Sequence, residues 1–291
     1  MTASIISGKE LAQEKRTQLA KDVQELKEQG VQPGLVVILV GNHPASISYI
    51  KGKQKASEEI GVAFTLEHFS ESMKEKELLD VIDKYNNDDS CHGILVQLPL
   101  PDHIKEKAVI EKISPDKDVD GFHPLNIGQM MVGEDTFLPC TPAGIVEMIK
   151  SANIEISGKH VVVVGRSNIV GKPVGILLLN EHATVTYCHS RTPNLSEVTN
   201  QADILVVAVG RANFITGEHI KQGAVVIDVG VNRLETGKLC GDVVFEEAKQ
   251  IASHLTPVPG GVGPMTITML AHNVVKSAKI SAERKHAAKE L

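Results

Sequence analysis

Short aliphatic runs of strand length alternate along the chain with longer stretches that have the pattern of amphipathic helices. In the first half, residues 35–40, 62–67 and 93–97 are predicted strands, and residues 45–60 and 73–85 are predicted helices. Buried strands separated by helices are typical of a parallel sheet that is covered on both faces. The alternation therefore predicts an α/β protein.

A second series of strands and helices follows residues 114–140, a stretch with several prolines, glycines and aspartates that is predicted to be an irregular connection. Thr141 and Pro142 form a good helix start, because a hydroxyl can cap the helix and proline suits its first turn. Five predicted strands then make a doubly wound, Rossmann-type domain. These strands are residues 160–164, 184–188, 204–209, 225–229 and 255–258.

We expect two α/β domains with a cleft between them, one over residues 1–140 and the Rossmann-type domain over residues 141–264. The last predicted helix begins near residue 265 and is longer than the second domain needs. We therefore expect residues 265–291 to pack back on the first domain, so that the chain crosses between the domains twice.

Composition excludes several classes of partner. The net charge of −6 over 291 residues argues against nucleic acid, and no apolar run is long enough to cross a membrane. Cys91, Cys140, Cys188 and Cys240 are far apart and form no C-x-x-C pair, so we expect free thiols and no metal site. The N-terminus also lacks the pattern of a secretory signal. These features favour a cytoplasmic protein.

A glycine-rich turn directly follows the predicted strand at residues 160–164. Gly165, Arg166, Ser167, Gly171 and Pro173 lie in this turn or at the head of the next helix, where backbone N–H groups can approach a pyrophosphate. The turn departs from G-x-G-x-x-G because Ser167 replaces the second glycine, and Pro173 excludes a Walker A loop. A packing turn is the alternative, but the five-strand context favours a dinucleotide site.

The end of the next predicted strand indicates which dinucleotide binds. NAD-binding domains usually carry a carboxylate there, which accepts from the ribose hydroxyl. This chain has Ser190 and Arg191 instead, and Arg166 lies in the glycine-rich turn. A guanidinium pairs well with phosphate oxygens, so the pattern favours the 2′-phosphate of NADP over a plain solvated loop. Val231, after the strand at residues 225–229, is a further candidate for cofactor contact.

Four polar residues of the first domain form a second candidate site. Tyr49 and Lys53 are four residues apart and share one face of a predicted helix. Gln97 ends a predicted strand, at the sheet edge where ligands of α/β proteins gather, and Asp120 follows in the irregular connection. Each has a plainer interpretation: Lys53 as a surface lysine, Gln97 as a polar strand end and Asp120 as a turn former.

Five stretches resemble one family over essentially the whole chain: residues 48–53, 93–101, 117–122, 165–173 and 256–266. The sequence is similar to the bifunctional methylenetetrahydrofolate dehydrogenase/methenyltetrahydrofolate cyclohydrolases of the FolD type. The resemblance implies that 5,10-methylenetetrahydrofolate is oxidised with NADP and that the methenyl product is hydrolysed to 10-formyltetrahydrofolate. It also implies a reduced folate as the small-molecule partner and a homodimer.

The resemblance assigns roles to individual residues. The expected catalytic residues are Lys53, Tyr49 and Gln97. The expected substrate-binding residues are Tyr49, Asp120, Pro259, Gly260 and Gly261. The expected cofactor-binding residues are Gly165, Arg166, Ser167, Gly171, Pro173, Ser190, Arg191 and Val231. Of these, the resemblance supplies Arg166 and Ser190 as contacts of the 2′-phosphate, and the role of Arg191 is our own inference. The first domain would then hold the folate and the second the NADP.

Hydrolysis makes the greater chemical demand, because protons must move as a C–N bond breaks. A lysine at its ordinary pKa of about 10.4 is a poor base, but burial beside a cationic substrate disfavours its charge. Our hypothesis is that Lys53 transfers the proton and Gln97 orients its amine. Two alternatives remain: an enzyme with dehydrogenase activity alone, and a nucleotide-sensing module without catalysis, which would not need Tyr49, Lys53, Gln97 and Asp120 together.

Overall fold

Two parallel sheets organise the protein, whose computed structural model describes residues 2–287. In chain order the elements are β1 (Ser4–Ile5), α1 (Gly8–Glu28), β2 (Gly34–Val40), α2 (Pro44–Ile60), β3 (Ala63–Phe69), α3 (Glu75–Asn86), β4 (Gly93–Val96), α4 (Glu106–Lys112), α5 (Pro124–Val132), α6 (Cys140–Ser151), β5 (His160–Val164), α7 (Gly171–Asn180), β6 (Thr184–Cys188), α8 (Leu195–Thr199), β7 (Ile204–Val207), β8 (Val225–Asp228), β9 (Asn232–Arg233), β10 (Leu239–Cys240), α9 (Phe245–Ile251), β11 (His254–Leu255) and α10 (Val262–Ala287). The α/β class is confirmed.

The first sheet belongs to a three-stranded unit, which comprises residues 14–138 and 267–287. Its strand order is β3–β2–β4 and all pairs are parallel. Every residue of the central strand β2 is buried, which explains its uninterrupted aliphatic sequence. Ile38 of β2 pairs with Val96 of β4, and the N–H of Gln97 donates to the Ile38 carbonyl. Gln97 therefore lies at the carboxyl edge of this sheet.

The second sheet belongs to a six-stranded unit, which comprises residues 2–13 and 139–266. Its order is β1–β11–β8–β7–β5–β6, again parallel, and β9 and β10 form a separate antiparallel pair. Strand β6 lies on one side of β5 and β7 on the other, so the strand order reverses at β5. Ligands of doubly wound sheets bind at such a reversal, outside the carboxyl ends of the strands.

The N-terminal segment differs from our expectation, which placed residues 1–140 together. Ser4 and Ile5 pair with His254 and Leu255 and add a sixth strand to the five predicted ones. Backbone pairing to β11 thus groups residues 2–13 with the six-stranded unit. A two-residue strand has too little periodicity to be recognised in a sequence.

Helix α10 divides between the units, and residues 267–287 group with residues 14–138. Asn273 Nδ2 donates to the carbonyls of Val119 and Leu138 at 2.9 and 3.0 Å, and Arg284 pairs with Asp116. Residues 288–291 of the expected helix lie outside the described part of the chain. Between residues 2 and 287, no helix combines the length and the apolar character that a bilayer crossing requires.

Helix α5 is a correction to the sequence analysis, which predicted an irregular connection over residues 114–140. Pro124 stands in its first turn, and the ring Nδ1 of His123 accepts the N–H of Leu125 at 3.1 Å. Gly133 ends the helix with φ at 81°. Proline and glycine here mark the two ends of a short helix, a pattern the sequence allows as readily as a loop.

Candidate active site

Lys53 lies on the buried face of α2. Ser46, Ile50, Ser57 and Ile60 are also buried, and their spacing forms one stripe along the helix that includes Lys53. Lys53 retains only 9% of its accessible surface. Its neighbours at positions 51 and 55 are exposed. The structure thus rejects the interpretation of Lys53 as one more surface lysine.

The buried ammonium of Lys53 has a neutral partner. Lys53 Nζ donates to Gln97 Oε1 at 2.9 Å, and Gln97 Nε2 donates to the Leu98 carbonyl at 2.8 Å. The second bond fixes which end of the amide faces the lysine. The same Leu98 carbonyl accepts from Ser46 Oγ at 3.3 Å, so it links the head of α2 to the end of β4. An amide oxygen orients an amine without the full negative charge that would retain its proton.

Asp120 supplies a carboxyl group to the same site. Burial raises its pKa to about 6, the charge of Lys53 opposes that rise, and the charge of Asp118 adds to it. Lys53 and Asp120 are thus close enough for their charges to interact. The structure brings together the side chains of Lys53, Gln97 and Asp120, although at least 23 positions separate any two of them in the sequence.

Asp118 holds the turn that carries Asp120, a role that the sequence analysis missed. Its buried carboxylate accepts the backbone N–H groups of Phe122 and His123 at 3.2 and 2.8 Å and Asn126 Nδ2 at 2.8 Å. Burial raises the pKa of Asp118, and these donors oppose the rise. Asp118 is therefore structural, whereas Asp120, two residues later, interacts with Lys53 in the candidate site.

Tyr49 lies one helical turn before Lys53 and keeps 44% of its surface exposed. Its ring is thus accessible to a flat partner, in contrast to the buried lysine. An exposed aromatic side chain beside a buried polar group is typical of a surface on which a planar ligand stacks.

The six-stranded unit carries the glycine-rich turn, here called the glycine loop (residues 165–170), directly after β5. Gly165 has φ at 133°, and a Cβ atom there would lie 2.3 Å from the carbonyl oxygen of Ala208. A Cβ on Gly171 would lie 2.6 Å from the Gly165 carbonyl oxygen. Both positions therefore need glycine. The loop leads into α7, whose first turn contains Pro173 and whose N-terminus favours a negatively charged group.

Ser167 explains why the loop lacks the second glycine of the standard fingerprint. Its Oγ accepts the N–H groups of Val170 and Gly171 at 3.2 and 3.1 Å, which stabilises the start of α7. The hydroxyl proton remains available to donate to an acceptor such as a phosphate oxygen. The donor set of the loop thus fits the pyrophosphate of a dinucleotide.

The turn after β6 presents the candidates for the 2′-phosphate. Ser190 and Arg191 are exposed there, as is Arg166 in the glycine loop. The backbone N–H of His189 donates to Thr192 Oγ1 at 2.9 Å, and that of Arg191 donates to His189 Nδ1 at 3.2 Å. These bonds hold the turn while the guanidinium and hydroxyl groups stay accessible. The arrangement suits a phosphate ligand at this strand end.

The remaining predicted residues also lie in the six-stranded unit. Val231 follows β8 and is exposed over 46% of its surface. Pro259 is exposed, Gly260 is half-buried and Gly261 is buried, in the turn between β11 and α10. The Gly260 carbonyl accepts the N–H of Lys9, which ties this turn to the first turn of α1. Their expected contacts with cofactor and substrate stay predictions.

Comparison with known proteins adds independent evidence. A model of the tetrahydrofolate dehydrogenase/cyclohydrolase catalytic domain matches residues 6–120, and a model of the NAD(P)-binding domain of the same proteins matches residues 139–282. The bifunctional protein FolD of Bacillus subtilis (strain 168) is 74% identical over 279 residues, which cover 96% of this chain and 99% of that protein.

Solved structures agree with these matches. The bifunctional enzyme FolD, a methylenetetrahydrofolate dehydrogenase/cyclohydrolase from Campylobacter jejuni, has a TM-score of 0.94 and 49% identity, covering 96% of this chain and 99% of that one. The Trypanosoma brucei enzyme (FolD), complexed with NADP cofactor and inhibitor, has a TM-score of 0.93 and 38% identity, covering 97% and 99%. The chain described here therefore belongs to the tetrahydrofolate dehydrogenase/cyclohydrolase family.

Proposed function

We propose that the protein oxidises 5,10-methylenetetrahydrofolate with NADP and hydrolyses the 5,10-methenyl product to 10-formyltetrahydrofolate. The observation that carries this proposal is the buried Lys53, hydrogen-bonded to the neutral amide of Gln97 and close to the carboxyl of Asp120. A dehydrogenase alone has little use for a buried amine. Family membership supplies the substrate class, and the glycine loop supports the cofactor.

The oxidation requires mainly positioning. The methylene carbon lies between two nitrogens, so the cation formed when hydride leaves is spread over both and no strong base is needed. Bound NADP would supply the hydride acceptor. The exposed ring of Tyr49 would stack on a flat ring of the folate, and Asp120 would accept hydrogen bonds from the amino side of the pterin. These contacts hold the reacting carbon in place.

The hydrolysis requires proton transfer. Water attacks the methenyl carbon and loses one proton as the C–O bond forms. The hydroxyl of the adduct then loses its proton to solvent as the formyl C=O bond forms and the C–N5 bond breaks, and N5 takes up a proton. We assign the first and the last of these transfers to Lys53, whose amine accepts the first proton and returns it to the leaving nitrogen. Burial and the cationic substrate disfavour the charged amine, the charge of Asp120 opposes them, and Gln97 directs the amine. The net reaction consumes one water, releases one proton and needs no other reactant.

The cofactor contacts complete the proposal. The glycine loop and the N-terminus of α7 would hold the pyrophosphate, and Arg166 with Ser190 and Arg191 would pair with the 2′-phosphate. Val231 would border the bound dinucleotide. Pro259, Gly260 and Gly261 would contact the substrate.

A spectrophotometric assay tests the function directly. The full-length protein is mixed with methylenetetrahydrofolate and NADP, and the reduced cofactor and the methenyl intermediate are followed together. We expect cofactor reduction with formation and decay of the methenyl species. Accumulation of the methenyl species without enzyme-dependent decay would indicate a dehydrogenase alone. NADP binding without turnover of any reduced folate would indicate a sensor and contradict the proposal.

We also propose that the protein is a cytoplasmic homodimer. The resemblance to the family supports the dimer, and the four cysteines, all free thiols in the structure, fit a reducing compartment. Light scattering coupled to size-exclusion chromatography would give the mass of the assembly. A mass near 31 kDa, that of one chain, would contradict the dimer.

A further inference from the structure

Two buried aspartates at the carboxyl edge of the six-stranded sheet have no part in the mechanism above. Asp242 follows β10 and is completely buried, and Asp228 ends β8 with 4% of its surface exposed. The carboxylate of Asp242 accepts three consecutive backbone N–H groups and one side-chain amide at 2.7–2.9 Å. The donors are Val209, Gly210, Arg211 and Asn232. Such convergence of backbone donors on one anion fixes the conformation of a loop.

Asp228 holds Asp242 in turn. Its oxygens accept the N–H groups of Asp242, Val243 and Gly230 at 2.9–3.0 Å. A Cβ atom on Gly230 would lie 2.1 Å from Asp242 Oδ1, and one on Gly241 would lie 1.8 Å from Asp228 Oδ2. The backbone thus approaches both carboxylates so closely that only glycine fits. Burial raises the pKa of Asp228 to about 6, and the charge of Asp242 adds to the rise.

The loop that Asp242 holds borders the expected dinucleotide site. It follows β7, on the side of β5 where the strand order reverses. Ala208, the residue before the three donors, is the one whose carbonyl oxygen lies against Gly165 of the glycine loop. The fourth donor, Asn232, directly follows Val231, a candidate for cofactor contact. One carboxylate therefore connects two segments at the edge where the cofactor would bind.

We propose that Asp242 is a positioning residue of the dinucleotide site, which fixes the loop after β7 and the segment after β8 in the conformation that receives NADP. This inference rests on the proposed function, because it takes NADP as the ligand. Asp242 would act through the backbone of these segments and would not touch the cofactor. Its loss would thus change NADP affinity more than the maximal rate.

Asp242→Asn is the sharpest variant, because it keeps the shape and removes the charge. Each oxygen of Asp242 accepts two of the four N–H donors, so the NH2 group of the new amide would face two donors and at least two hydrogen bonds would be lost. We expect the dissociation constant and the KM for NADP to rise at least about tenfold. The kcat at saturating NADP and the cyclohydrolase rate without NADP should stay within about twofold of the original.

Asp203→Asn is the matched control. Asp203 also belongs to the six-stranded unit and accepts a backbone N–H, that of His160, together with Lys221 Nζ. It precedes β7, at the opposite end of the strand from the loop that Asp242 holds. We expect this variant to bind NADP like the original protein, even if its melting temperature falls. An equal loss of NADP affinity in both variants would mean that any lost carboxylate weakens the unit and would overturn the proposal.

Calorimetric titration with NADP, steady-state kinetics and melting temperature distinguish the outcomes. Unchanged NADP affinity in a folded Asp242→Asn protein overturns the proposal, as does a parallel loss of cyclohydrolase activity. If that variant does not fold, Asn232→Ala carries the test. Its NADP dissociation constant should rise about threefold, and an unchanged constant would overturn the proposal.

An original protein that binds NADP without turning over folate would refute the proposed function while the binding test stands. One that binds no NADP would overturn both.

Discussion

The two sheets present different kinds of groups at their carboxyl edges. The three-stranded sheet presents the side chains of Lys53, Gln97 and Asp120, two of which are ionisable. The six-stranded sheet presents glycine-rich backbone, and its buried carboxylates, Asp228 and Asp242, bind its own loops. The difference follows the chemistry: hydrolysis needs groups that move protons, whereas a dinucleotide needs backbone N–H donors held in place.

Replacing Lys53 tests the first half of this comparison and should have the largest effect. Lys53→Met keeps the length of the side chain and removes the amine, so we expect the cyclohydrolase rate to fall at least about a hundredfold. NADP-dependent oxidation should stay measurable with an unchanged KM for NADP. Both rates are measured on the same preparation.

Lys51→Met is the matched control for this variant. Lys51 is an exposed lysine two positions away on α2, and its replacement should leave both activities unchanged. A Lys53→Met protein that hydrolyses methenyltetrahydrofolate at the normal rate would show that the proton-transfer assignment is wrong.

Adding one methyl group to the glycine loop tests whether the backbone at the edge of the six-stranded sheet binds the cofactor. The Cβ of Gly165→Ala would meet the Ala208 carbonyl oxygen, and its φ of 133° is strained for any other residue. We expect the KM for NADP to rise roughly thirtyfold, equivalent to about 2 kcal/mol of strain, with cyclohydrolase activity retained.

Gly158→Ala separates strain from the clash. Gly158 also has a positive φ, 73°, but open space around its Cβ position. This variant should lose about 1 kcal/mol of stability and bind NADP normally. If both alanine variants changed the KM for NADP equally, the close approach of the two loops would have no role in binding.

Replacing Arg166 tests which dinucleotide binds at the edge of the six-stranded sheet. Arg166→Ala should raise the KM for NADP about tenfold and leave that for NAD nearly unchanged, because only NADP carries the 2′-phosphate. Lys159→Ala is the control, since Lys159 immediately precedes β5 and Arg166 follows the other end of the strand. Equal effects of Arg166→Ala on the two cofactors would mean that this arginine does not recognise the phosphate.

Regular elements were the most predictable part of the molecule. The predicted strands at residues 160–164 and 184–188 coincide with β5 and β6, because runs rich in β-branched residues favour strands over helices. β1 was missed because its two residues acquire a strand conformation only by pairing with β11. α5 was missed because its proline and glycine also fit a loop.

The site was predictable as a set of residue types, but not as an environment. The sequence places Lys53 four residues after Tyr49, and the buried stripe from Ser46 to Ile60 would have separated it from Lys51 and Lys55. No such signal separates Asp118 from Asp120, since burial and hydrogen-bond partners decide their roles. The same holds for Asp228 and Asp242, although Gly241, the residue before Asp242, is a glycine because the backbone there lies close to the carboxylate of Asp228.

Acidification should affect the two edges through different carboxyl groups, and it is the smallest effect we predict. The pKa of Asp120 is raised to about 6, so the group is mostly ionised at pH 7 and becomes protonated as the pH falls through 6. A protonated carboxyl no longer accepts from the pterin amino group. We expect the KM for the folate substrate to rise about fourfold from about pH 7 to about pH 5.5, in proportion to the ionised fraction lost.

Asp120→Asn is the control, and it should bind the folate more weakly at every pH and without this rise. Because Asp228 titrates in the same range, the KM for NADP must be followed in parallel at each pH. A folate KM that rises equally in Asp120→Asn would assign the pH dependence to another group.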